Sequence, residues 1–236
     1  TISARPTLYG FSQFRLEFIP TTRPRVAIVK LPSSGQAAFD ESVVIRLTDY
    51  EPLEFASAAQ PTASPLHALL DAAKNTDAEI LVALPAGVTP GRRDWLTRLV
   101  GALAIPGVVA TGGSLVGPDG RIIDGCLILD SQGWPRPAFF ECLETEPGYH
   151  GRAQLAHNPG GLSLHGIAVR RADLLALGGL PPELRASGPQ AAGWMLCSFL
   201  RATGGRVIYE PGVTLETEDS FMFLPRPNAK RLPARR

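Results

Sequence analysis

Residues 80–90 read ILVALPAGVTP, and this stretch decides the fold. Ile80 to Leu84 form an apolar run too short for a helix, closed by Pro85 and Gly87. A run of that length bounded by turn residues predicts a strand buried on both faces, the habit of sheets covered by helices. The flanking sequence supplies those helices. Upstream, Ser64-Pro65 reads as an N-cap with proline at the first helical position, and Leu66, Leu69, Leu70 and Ala73 share one face. Downstream, Pro90 is expected to open a helix burying Trp95, Leu96, Leu99, Val100 and Leu103, with the next strand at 107–110. This helix-strand-helix-strand rhythm predicts an α/β fold with a parallel sheet between helices.

In an open α/β sheet the carboxyl ends of the strands are where ligands bind. Here that end holds Leu84, Pro85, Ala86 and Gly87, and none of them can ligate a metal, move a proton or attack a substrate.

Composition narrows the partners. With 236 residues, 44% of them hydrophobic and 19% charged, the chain can bury a large core and belongs with soluble globular proteins. A net charge of +1 argues against nucleic acid or an anionic membrane as main partner. Basic residues are mostly arginine and alanines are many, which suggests a GC-rich bacterial genome. Cys126, Cys142 and Cys197 are dispersed with no Cys-x-x-Cys pair, so neither a zinc site nor a disulfide framework is signalled, and reduced thiols in a cytoplasmic protein are expected. No apolar run approaches the roughly 20 residues of a membrane span, and the N-terminus lacks a secretion signal. The sequence begins at Thr1 rather than methionine, as expected of a piece of a longer protein.

Before residue 60 the pattern is irregular. Strands are expected at 11–19, 25–29 and 42–47, the last on its β-branched run SVVIRL. The link between the last two is short and broken by Pro and Gly, so they are expected to be antiparallel or irregularly joined. Further on, Pro118-Asp119-Gly120 predicts a hairpin between 114–116 and 121–129, and residues 131–161 read as a long surface excursion. A strand at 164–170, helices after Arg170 and at 190–202, and strands at 206–210 and 213–217 complete the pattern. Residues 225–236 form a basic, proline-interrupted tail. The expected division is an atypical N-terminal strand segment over 1–60, the main body of the same domain over 61–224, and the tail.

Several of these segments, in this order, resemble family 2 glycosyltransferases of the GT-A fold. NTDAEILVALPAGVTPGRRDWLTRLVGAL (75–103) is similar to the family's strand, sugar-nucleotide turn and following helix, and GPDGRIIDGCLILD (117–130) to its PDGR turn. The segment 147–181 resembles the acceptor-side strand and helix, with Gly166, Arg170-Arg171 and Gly178-Gly179 in place. WMLCSFLRATGGRVIYEP (194–211) resembles the Leu-Cys helix and the strand after it. The resemblance implies a GT-A-like mixed sheet flanked by helices, a nucleotide-sugar donor and a divalent cation, Mg²⁺ or Mn²⁺.

The chemistry implied by the family is missing at its positions. The carboxylate that would ligate the cation maps to Ala86, and a hard cation needs oxygen ligands that a methyl group does not offer. The acidic base before the Leu-Cys helix falls in Ala192-Gly193-Trp194-Met195, with Gly193 and Met195 as the degenerate positions. A histidine often found after the last strand is replaced by acids at 216–219, and no histidine follows His165. No metal and no cofactor are therefore expected. A nucleotide-holding β-α-β unit is not legible before residue 60 either.

Other residues are candidates to take over. Glu141, in the excursion, and Asp124, after the hairpin turn, are candidate catalytic acids. His165, Gly166 and Asn158 are candidate substrate-binding residues. Three functions remain in view: an inactive glycosyltransferase-like domain of bacterial surface-polysaccharide synthesis that binds a glycan, a nucleotide sugar or a partner glycosyltransferase; an active, metal-independent transferase with an unorthodox acidic base; and a docking or dimerisation module of a longer polypeptide.

Overall fold

The computed structural model describes residues 2–6, 12–16, 22–31, 38–58, 64–179 and 188–218. Strands β1 (Ile2–Pro6) and β2 (Ser12–Leu16) pair antiparallel as a separate two-stranded sheet. The basic tail at 225–236 lies outside the described residues.

The next unit differs from the sequence expectation. Strand β3 (Val26–Leu31) is followed by helix α1 (Glu41–Arg46) and strand β4 (Leu53–Ala56), and β3 and β4 run parallel. The SVVIRL run expected to be a strand is therefore helical, and a β-α-β unit is present after all. The local reason is a cap. The carboxylate of Asp40 accepts from the backbone N–H groups of Ser42 and Val43, at 3.0 and 3.1 Å, which outweighs the weak helix propensity of Val43, Val44 and Ile45. Val44 is buried, and its carbonyl accepts from the Thr48 hydroxyl, which in turn receives the Trp95 indole N–H at 3.0 Å.

After helix α2 (Pro65–Lys74) comes β5 (Ile80–Pro85), then β6 (Val88–Pro90), helix α3 (Trp95–Leu103) and β7 (Val108–Val116). Pro90 ends a short strand rather than opening the helix, which starts at Trp95. The hairpin expected at Pro118-Asp119-Gly120 forms between β7 and β8 (Ile122–Asp124), and β9 (Cys126–Leu129) leaves for a small sheet with β10 (Pro135–Pro137) and β11 (Gly161–Leu162). The excursion carries a kinked 3₁₀ segment, Tyr149–Gln154. Strand β12 (Ala168–Arg170), helices α4 (Arg171–Ala176) and α5 (Pro189–Ala202), and β13 (Arg206–Thr217) follow. The two final strands expected from the sequence are one strand with an irregularity between Tyr209 and Thr214.

Among the described residues the main sheet runs β4-β3-β5-β12-β7-β13-β6, with β8 on β7. It is mixed: β12 lies antiparallel to both β5 and β7, and β6 antiparallel to β13, while the remaining pairs along this order are parallel. Strand β5 is buried throughout, and its residues alternate between two cores. Ile80, Val82 and Leu84 pack with Trp95, Leu96 and Leu99 of α3; Leu81 and Ala83 pack on the opposite face with Leu66, Leu69, Leu196 and Leu200 of α2 and α5. The period of two in a continuous apolar run thus becomes a strand covered on both faces.

Candidate functional site

The carboxyl end of β5 is the natural place to look, and its backbone is occupied. Gly166 donates to the Ala83 carbonyl at 2.8 Å, and Ala83 donates to Ile167 at 3.0 Å, so Gly166 and Ile167 lie along the strand. Gly166 holds φ +77°, and a Cβ there would stand 2.2 Å from Leu215 Cδ1. The glycine is needed for its backbone and its lack of a side chain, with nothing of its own to offer a ligand but the peptide group. Ala86 is 8% exposed.

Two candidate residues from different segments meet here. Asp124 ends β8, opposite Leu115 of β7, and is fully buried; His165 is 4% exposed. His165 Nδ1 stands 2.5 Å from Asp124 Oδ2, and the same oxygen accepts the Ser163 hydroxyl at 2.7 Å. The other oxygen accepts the Gly125 N–H at 2.8 Å. Ser163 Oγ lies 3.1 Å from His165 Nδ1. Ringed by donors, the carboxylate fixes the imidazole with its hydrogen on Nδ1. This is not a nucleophilic triad: serine and imidazole share one carboxylate oxygen, whereas a triad places serine on the far nitrogen of the ring. The arrangement orients an imidazole beside the strand end.

The position that the resemblance assigns to a base is closed by packing. A Cβ at Gly193 would lie 2.2 Å from the Leu162 carbonyl oxygen and 2.8 Å from the Leu164 nitrogen. Helix α5 is seated there on β11 and the segment after it; Leu164 N–H donates to Pro189 and Leu162 N–H to the Cys197 sulfur. No acidic side chain fits at Gly193 without moving backbone. Ala192 is buried and Met195 half-buried, and neither brings a polar group.

The remaining candidates are scattered. Glu141 is exposed with φ +64°; its N–H donates to Ile122 and its carbonyl accepts from Arg121, and it makes no hydrogen bond with Asp124 or His165. Asn158 is exposed beside His157, away from any polar contact with that pair. Glu144 takes the Thr214 hydroxyl at 2.5 Å. Among the described residues no group of three or more His, Cys, Asp or Glu is placed to hold a metal ion. With Leu84–Gly87 offering no side-chain oxygen, the donor set does not fit the divalent cation that the resemblance implies.

A second polar cluster escaped the sequence reading. Tyr209 is buried, its hydroxyl 2.7 Å from Ser114 Oγ and donating to the Ala153 carbonyl at 3.1 Å. His157 packs on its ring with centroids 5.2 Å apart, and Phe139 closes the group. His157 Nδ1 lies 2.8 Å from the Leu155 carbonyl, so Nδ1 carries the hydrogen and Nε2 faces Cys126 Sγ at 3.7 Å. Burial pushes the Cys126 thiol up to about 12, which removes it as a nucleophile. This cluster pins the excursion to β13. A tyrosine inside the run RVIYE was the available signal.

No protein-family model and no curated protein matches the chain. Solved structures do. GalNAc-T7 with UDP, GalNAc and Mn²⁺ superposes with a TM-score of 0.57 at 11% identity, over 85% of this chain and 45% of that one. The mannosyltransferase PcManGT from Pyrobaculum calidifontis, in complex with GDP-Man and Mn²⁺, superposes with a TM-score of 0.53 at 19% identity, over 88% of this chain and 59% of that one. The chain spans about half the length of these two structures. The fold is GT-A-like, and the domain is glycosyltransferase-like in architecture. Among the described residues, no helix is long and apolar enough to cross a membrane.

Proposed function

We propose that this is a glycosyltransferase-like domain of bacterial surface-polysaccharide synthesis that has lost metal-dependent sugar transfer and acts by binding a glycan or nucleotide sugar. The observation that carries the reading is Gly193, where the backbone of Leu162–Leu164 occupies the volume that a base would need. The apolar turn at Leu84–Gly87 supports it from the donor side. Metal neutralisation of a leaving diphosphate contributes several kcal/mol of transition-state stabilisation, and a general base roughly another 10²–10⁴-fold. Loss of both leaves a scaffold for binding. The solved neighbours contain UDP with GalNAc and GDP-Man, and sugar nucleotides of those two types are the ligands to try first. Calorimetric titration of UDP-GalNAc and GDP-mannose, with and without Mn²⁺, tests it. Affinity unchanged by Mn²⁺ and no transfer is expected; tight binding that requires Mn²⁺ would overturn the reading.

A second reading, metal-independent transfer, is favoured by one observation: the carboxylate of Asp124 holds the imidazole of His165 beside the strand end. Transfer that persists in EDTA and disappears in Asp124→Asn, with the fold intact, would establish it.

A further inference from the structure

The excursion presents an aromatic ring in an unusual way. Tyr149 is 76% exposed, the most exposed of the large hydrophobic side chains among the described residues. Its ring has one aromatic neighbour, His150, edge-on with centroids 4.3 Å apart. His150 itself holds φ +50° and ψ +34°, a left-handed conformation that side chains other than glycine rarely adopt. The surrounding chain holds that strained turn in place. Ala153 donates to the Pro147 carbonyl at 3.0 Å, the Gln154 amide to Thr145 at 2.6 Å, and the Ala153 carbonyl receives Tyr209. Five residues before Tyr149, Glu144 takes the hydroxyl of Thr214, next to the Leu215–Pro90 pair that follows the β5 turn. A tied-down, strained turn thus displays one exposed ring on a segment fastened to β13. Strain of this kind persists at ligand clamps, where it orders a contact in advance.

We propose that Tyr149, oriented by His150, is a stacking platform for a pyranose ring of a neutral glycan, an inference that rests on the glycan-binding reading above. A pyranose presents a face of C–H groups and a rim of hydroxyls, which matches a flat amphipathic ring set in polar surroundings. The surroundings are polar here: Glu144, Glu146, His150, Arg152 and Gln154 are all exposed. A protein partner would call for a contiguous apolar patch, which an isolated ring does not make.

Saturation-transfer NMR with cellohexaose, maltohexaose and mannohexaose as probes tests the platform. At least one is expected to receive saturation at the C–H groups of one sugar face. Affinity should fall roughly tenfold or more in Tyr149→Ala, the change expected for one lost stacking ring, and be kept in Tyr149→Phe and Tyr149→Trp. Thermal melting should be unchanged in all three, because the ring is exposed. Binding unaffected by Tyr149→Ala overturns the platform while leaving the glycan-binding reading standing. No transfer to any of the three glycans overturns the platform, and the sugar-nucleotide titration then decides the glycan-binding reading independently.

Discussion

Asp124 and His165 lie 41 residues apart in sequence and meet at 2.5 Å inside the fold, with Ser163 on the same carboxylate oxygen. Asp124→Ala removes the acceptor for three donors in a site sealed from water. Leaving buried donors without their acceptor costs about 1–3 kcal/mol. Urea unfolding should show a loss in that range. His165→Ala alone should cost less, and the double mutant should fall well short of the sum, with a coupling of roughly 1 kcal/mol or more.

On the proposed reading, acids placed at Gly193 and Ala86 should not create a working site. Gly193→Asp forces a Cβ against the Leu162 carbonyl and is expected to destabilise the domain by about 1–3 kcal/mol, measured by thermal unfolding. Ala86→Asp supplies a single carboxylate where a divalent cation needs several oxygens, so Mn²⁺ titration followed by electron paramagnetic resonance should show no added site.

The pH dependence has a definite sign at His157. Burial, ahead of the nearby charge of Arg152 and against the pull of the Leu155 carbonyl, lowers its pKa below the ordinary 6.5. The unfolded chain therefore binds this proton more readily than the folded one, so stability is full above pH 6.5 and declines as pH falls below it. Melting temperatures between pH 7 and pH 5 should fall in the wild type and fall less in His157→Asn (~2 units of pH suffice to cross the window).

Thiol reactivity should separate the cysteines. Burial raises Cys126 to about 12 and Cys197 to about 11, whereas Cys142 is partly exposed. Iodoacetamide at neutral pH, read by mass spectrometry of the native protein, should label Cys142 first and leave the other two untouched until the fold opens.

Tyr209→Phe keeps the packing and deletes the hydroxyl shared by Ser114 and Ala153. A cost of about 1–2 kcal/mol is expected. Limited proteolysis should cut the excursion faster in this variant, since Tyr209 joins it to the sheet.

Helix faces were the legible part of the fold. The spacing of Leu66, Leu69 and Leu70, and of Trp95, Leu96 and Leu99, predicted both helices, and the structure buries all six. Helix α1 was hidden because Val43, Val44 and Ile45 imitate a strand, while the Asp40 cap that overrides them is one side chain. Strand direction was hidden too: Ala168–Arg170 has the same alternation whether β12 runs parallel or antiparallel to β5. At the strand end, the lack of side-chain oxygen over Leu84–Gly87 could be read residue by residue. The closure at Gly193 could not, because it depends on backbone from another segment arriving within van der Waals range. The Asp124–His165 pairing likewise depends on two turns that a period cannot foresee.

Arg170 and Arg171 are neighbours at the corner of β12 and α4, and their side chains reach in opposite directions. Arg170 donates to the carbonyl of Leu103 at the end of α3 and to that of Val108 at the start of β7, and Arg171 donates to Ala73 near the end of α2, at 2.7 Å. Those helices cover opposite sides of the sheet. One dipeptide therefore ties a helix on each side of the sheet to a single corner of the fold. Loosening either should release amide protons on both, a shared fate that hydrogen exchange would register as a single opening event.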